Sequence, residues 1–165
     1  MSVTHVEKDL EALTMTVTAD LDATPERAWQ LWADPRQFER WWGPPGYPTT
    51  VVDHDLRTGG RITFFMGATD GEREHSSWEV VAADPPRQLT LRDADVDDTG
   101  RPNDGNSMTA MVITIAARGT GGAVMEIRTH FDSQAGMEQV LAMGIEEGMC
   151  AVLSQIDAVL AGTPA

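Results

Sequence analysis

The chain has 165 residues, 26 acidic against 12 basic, for a formal net charge of −14. That length suits a single domain over residues 1–165, and the charge opposes binding to phosphate backbones and anionic membrane surfaces, so nucleic acid is not an expected partner. No stretch approaches the ~18 consecutive apolar residues of a membrane span, and the first residues lack the basic and apolar regions of a secretory signal, so a cytoplasmic location is the default.

Residues 13–19 alternate Leu13, Met15, Val17 and Ala19 with Thr14, Thr16 and Thr18, the period of two of a half-buried strand. Thr24-Pro25-Glu26 then sets a capping hydroxyl before a proline at the first helical position, and Ala28, Trp29, Leu31 and Trp32 supply an apolar face. Asp34-Pro35 repeats that signal ahead of Phe38, Trp41 and Trp42, and Gly43-Pro44-Pro45 ends the second short helix. From residue 49 the pattern becomes six strands, 49–56, 61–66, 75–82, 88–92, 108–116 and 123–131, separated by segments rich in Gly, Pro and Asp. These connections are too short for intervening helices, so the sheet is expected to be an antiparallel meander. After Asp132-Ser133, apolar residues from Met137 to Leu160 recur at helical spacing, with Gly162 and Pro164 as the stop. A helix of that length is roughly 40 Å, enough to cross the sheet. Gly144 and Gly148 lie on or beside its apolar stripe; close packing against a strand is the favoured reason for them, room for a ligand the other.

The expected fold is therefore α+β, a curved seven-stranded antiparallel sheet around a long C-terminal helix, with two short helices after the first strand. In this order the chain resembles the SRPBCC superfamily, whose members include START, Bet v 1 and polyketide-cyclase relatives, and specifically the activator of heat-shock-protein-90 ATPase homologue-like branch. The resemblance rests on Thr24-Pro25 with Ala28-Trp29 and Trp32, on Asp34-Pro35, on Trp41-Trp42-Gly43-Pro44, on Asp55-Leu56-Arg57 with Gly59-Gly60, on Pro85-Pro86 with Leu89, and on Glu146-Glu147-Gly148-Met149. It covers roughly residues 10–161, with Thr58 where a proline usually precedes the paired glycines. The resemblance implies a helix-grip (Bet v 1/START-like) fold with a cavity between sheet and helix, and it transfers no catalytic residue. Co-chaperone work is disfavoured, because the eukaryotic co-chaperones of this family carry a separate N-terminal chaperone-binding domain and only about ten residues precede the first predicted strand.

Strand phase sorts the polar residues. His130 shares a face with Glu126 and Arg128, opposite Met125, Ile127 and Thr129, and His75 lies opposite Trp78, so both histidines are expected to face outward. His54, in phase with Val52 and Leu56, is the histidine expected to enter the interior. Trp41, Trp42, Ile62, Phe64, Met66, Trp78, Met111 or Met108, Met125 and Met143 form an apolar wall that suits a hydrophobic pocket and equally a plain core. Glu72, Glu74 and Ser76 are in phase with Trp78; an exposed turn accounts for the glutamates, and Ser76 is a candidate at the cavity mouth.

Cys150 is the only cysteine, which excludes an intrachain disulfide and a multi-cysteine zinc site, and it reads as a plain small residue. Asp93, Asp95 and Asp97 match the first spacings of a calcium-binding EF-hand loop, but Asp98 replaces its glycine and Asp104 its glutamate, so a solvated acidic loop is expected, with no metal. No phosphate-binding, dinucleotide-binding or hydrolase signature occurs, and no cofactor is expected. The favoured reading is a protein that binds a small hydrophobic molecule. A cofactor-free cyclase-like enzyme using His54 with Glu74 or Ser76, and a protein-interaction module, are the alternatives, and an exposed edge strand or tryptophan cluster leaves a homodimer open.

Overall fold

The computed structural model describes residues 2–43, 48–67, 73–93 and 108–162, with side chains over 5–43, 48–67, 77–92 and 110–161. Its strands are β1 (Ser2–Asp9), β2 (Thr14–Leu21), β3 (Thr49–His54), β4 (Arg61–Gly67), β5 (Arg73–Asp84), β6 (Gln88–Asp93), β7 (Met108–Arg118) and β8 (Gly122–Phe131). They form a single antiparallel sheet in the order β1-β2-β8-β7-β6-β5-β4-β3. All seven expected strands are present, and β1 is an eighth that alternation did not mark. From His5 to Asp9 it shows solvent almost everything except Val6, and the charges of Glu7, Lys8 and Asp9 are those with which an edge strand discourages further pairing. Asp9 makes the turn into β2 by accepting the backbone N–H groups of Glu11 and Ala12, each at 3.0 Å.

The inward faces interlock in rows across the sheet. Val17, Ile127, Ile113 and Leu89 stand opposite one another on β2, β8, β7 and β6, and none exposes more than 1% of its surface. Such cross-strand rows, continued by Met15, Met125 and Leu91, build the floor of the core.

Helices α1 (Pro25–Ala33) and α2 (Pro35–Trp41) begin as their cap-then-proline signals require: Thr24 accepts the backbone N–H of Arg27, and Asp34 that of Arg36. Both helices are fastened to β3. Glu39 accepts the backbone N–H of Val51 at 2.7 Å, and the Thr49 hydroxyl donates to the Trp42 carbonyl at 2.6 Å. His54 Nε2 lies 2.8 Å from the Trp32 carbonyl. Glu39 thereby covers one of the polar groups that the outer edge of β3 would otherwise present to water.

The C-terminal helical stretch is segmented where a continuous helix is expected, into α3 (Gln134–Ala142), α4 (Ile145–Leu153) and α5 (Ile156–Gly162). Gly144 breaks it first, at φ +91°, a left-handed conformation that an L side chain adopts only at a cost. A β-carbon there would meet nothing nearer than Glu147 Oε2 at 3.7 Å, so steric room is not what requires a glycine. Gly144→Ala should consequently lose about 1 kcal/mol or slightly more through backbone strain alone, against alanine's higher helix propensity. A lowered urea midpoint with an unchanged slope checks it. The second break follows Ser154, whose hydroxyl donates back to the Ala151 carbonyl at 2.6 Å.

Candidate functional site

The rings at the end of α2 set one wall of the site. Trp42 stacks on Phe38 with centroids 5.5 Å apart and meets Trp78 edge-on at 5.0 Å, while Trp78 meets Phe64 at 4.9 Å. Gln155, between α4 and α5, donates to the carbonyls of Trp41 (3.1 Å) and Gly43 (2.8 Å), so the tryptophan turn and the C-terminal helices are held together.

Between α4 and the sheet lies a hollow of about 280 Å³. Met66, Trp78, Leu91, Met111 and Thr129 line it from β4 to β8, Ile145, Gly148, Met149 and Val152 line it from α4, and Trp42 and Gly43 close one end. A β-carbon built on Gly148 would meet no atom within 4 Å. The close-packing expectation for Gly144 and Gly148 is therefore replaced: Gly144 serves the backbone turn, and Gly148 leaves space.

Among the described residues the polar lining is sparse. Arg92 lies at the margin, exposed, with its guanidinium paired to Glu79. Thr129 is 2% exposed and, like Gln37 and Thr49, is a buried polar residue of the described chain. The other two are satisfied: Gln37 accepts from Arg27 and donates to Asp34, and Thr49 donates to Trp42. Among the described residues the Thr129 hydroxyl, 2% exposed, has no hydrogen-bond partner, and a buried hydroxyl left without one costs roughly 1–3 kcal/mol.

The candidates from sequence divide into several groups. Trp42, Met66, Trp78 and Met111 line the hollow. Trp41, Phe64 and Met125 are core residues behind it; Met125 offers its sulfur to the Trp32 indole N–H at 3.4 Å. Met143 is 79% exposed, because the break at Gly144 turns it off the helix face on which continuous periodicity would place it. His54 is drawn to the Trp32 carbonyl and does not line the hollow, so its geometry is that of a strut, not of an acid or base at a ligand. It does face inward, opposite Ile62, but by another route: a bulge between Val51 and Asp53 shifts the phase and leaves Val52, expected inside, 57% exposed. The side chains of Glu74 and Ser76, together with Glu72 and the acidic segment from Ala94 through Asp104, lie outside the described residues.

Arg92, Thr129 and Met149 are among the lining residues absent from the sequence candidates, whereas Gly148 stands where room for a ligand was the alternative to close packing. Thr129 carried a usable signal, a hydroxyl in phase with Met125 and Ile127 on an inward face. Cys150, next along α4, is partly buried; burial pushes its thiol up, and the carboxylates of Glu146 and Glu147 push it further, so it stays protonated at neutral pH. Among the described residues no three His, Cys, Asp or Glu side chains converge as a metal site would need, and no helix is long and apolar enough to cross a membrane.

A family model described as activator of Hsp90 ATPase homolog 1-like protein matches residues 22–161. Among solved structures, the chain is similar to the crystal structure of protein Ms6760 from Mycobacterium smegmatis, at 42% identity and a TM-score of 0.85, over 99% of this chain and 100% of that one. It is similar also to the solution structure of a protein from Arthrobacter aurescens, at 36% identity and a TM-score of 0.88, over 98% and 94% of the two chains. A protein from Rhodobacter sphaeroides shares 18% identity with a TM-score of 0.82 over 96% and 99%, a likeness of fold alone. No curated protein matches the chain.

Proposed function

The chain belongs to the activator of Hsp90 ATPase homolog 1-like branch of the SRPBCC superfamily, and we propose that it binds a small hydrophobic molecule in the hollow between its sheet and α4. The observation that carries this reading is the space beside Gly148. The hollow of about 280 Å³ opens to the surface between partly exposed Trp42, Trp78, Met66, Met111 and Met149, an apolar concavity of the kind that takes up small hydrophobic molecules. Methionine and tryptophan walls also adapt to ligands of differing outline at little cost.

Native mass spectrometry of gently purified protein, followed by thermal unfolding with a series of apolar compounds, tests the reading. A retained adduct or a melting temperature that rises with ligand concentration is expected, since a ligand at 100 times its Kd adds about 2.7 kcal/mol of stability. No adduct and no stabilisation by any apolar compound in the series would contradict it.

A further inference from the structure

We infer that the ligand is a largely apolar molecule of about two-ring size carrying one neutral oxygen function, a carbonyl or a hydroxyl, and that the Thr129 hydroxyl is the group that recognises it. The inference rests on the proposed function and adds to it a chemical class. Three observations lead there. The first is size. A cavity of ~150 Å³ lined by aliphatic and aromatic side chains holds a single benzene ring, and the hollow here has about 280 Å³.

The second is the state of Thr129. Gln37, Thr49 and Thr129 are the buried polar residues of the described chain, and the first two are fully employed in holding α1, α2 and β3 together. Thr129 is as deeply buried as they are, lines the hollow, and has no hydrogen-bond partner among the described residues. A valine would fill the same place on β8 without that unmet need, as Ile127 and Met125 do along the same face. Among the described residues this hydroxyl has no partner, and a group occupying the hollow can supply one.

The third is charge. Among the described residues the cation at the margin is Arg92, and it is already paired with Glu79. A carboxylate on the ligand would thus enter an apolar space without a counter-ion of its own, under a chain of net charge −14, and burying a charge so is far costlier than burying a carbonyl. A neutral oxygen, by contrast, needs only the one hydrogen bond that Thr129 can give or accept.

Isothermal titration of the full-length protein with tetralin, 1-tetralone and tetralin-1-carboxylate tests the assignment. Thr129→Val should weaken 1-tetralone about tenfold, as loss of one buried hydrogen bond predicts, and leave tetralin binding as tight or tighter. Thr129→Ser, which keeps the hydroxyl, should retain the tetralone affinity. Without ligand, Thr129→Val should melt at the same or a higher temperature than the parent, because it removes an unpartnered buried hydroxyl. The carboxylate should bind more weakly than the ketone. An unchanged tetralone affinity in Thr129→Val, equal weakening of both neutral probes, or preference for the carboxylate would overturn the inference while leaving the hydrophobic site intact. If tetralin and tetralone both fail to bind the parent protein, the proposed function falls, and this inference with it.

Discussion

Gly148→Leu is expected to make the protein more stable and to abolish ligand binding. The position lies inside α4, where glycine costs about 1 kcal/mol relative to a good helix former, and the β-carbon has open space around it. The rest of the leucine side chain would extend into the hollow between Met111, Thr129 and Met149, and burying it adds roughly 2 kcal/mol. The same atoms then occupy the volume a ligand would need. Denaturant midpoints and probe titrations on one preparation read both effects, and Gly148→Ala supplies the control, with about 1 kcal/mol of gain and binding retained. Leucine lowering the midpoint would mean that the space beside Gly148 is not there to be filled. Gains in stability at the expense of function are characteristic of sites where a protein keeps a cavity open.

Trp41→Ala should act in the opposite sense and cost about 4 kcal/mol, a large share of the 5–15 kcal/mol by which a domain is stable. Trp41 is fully buried, packs edge-on against Trp32 at 4.8 Å and Trp42 at 5.4 Å, and donates its indole N–H to the Leu31 carbonyl at 2.8 Å. Its removal leaves a cavity at the junction of α1 and α2 and frees that carbonyl. Trp42→Ala, one residue on, removes a half-buried wall of the hollow and should cost clearly less stability while weakening apolar probes. Urea unfolding of the two variants separates the tryptophan that holds the fold from the one that faces the ligand. Equal losses would show that the pair acts as one packing unit.

The elements of this fold were legible wherever local chemistry decides them. Thr24-Pro25 and Asp34-Pro35 start helices because a side-chain oxygen takes up a free N–H and proline has none to lose. The alternation on β8 places Met125, Ile127 and Thr129 inward, as observed. What escaped depends on non-local geometry. β1 is a strand through its pairing with β2, and its charges hide any alternation. The bulge before Asp53 lies where β3 is bonded to α1 and α2 as well as to β4, contacts no strand alternation reveals. Apolar periodicity runs through Gly144 unbroken, since a stripe records which face is buried and not whether the backbone is continuous, and so it places Met143 on the wall although it is 79% exposed. Composition likewise cannot separate a tryptophan in the core from one at a cavity, as Trp41 and Trp42 show.

Methyl-labelled methionine NMR tests most directly whether the space between α4 and the sheet is a ligand site. Met66, Met111 and Met149 line the hollow, Met15 and Met137 are fully buried in the core, and Met143 is 79% exposed. On titration with 1-tetralone, the first three methyl signals should shift in a saturable manner, with those of Met15, Met137 and Met143 unmoved. No saturable shift at Met66, Met111 and Met149, or a shift confined to Met143, would contradict the account.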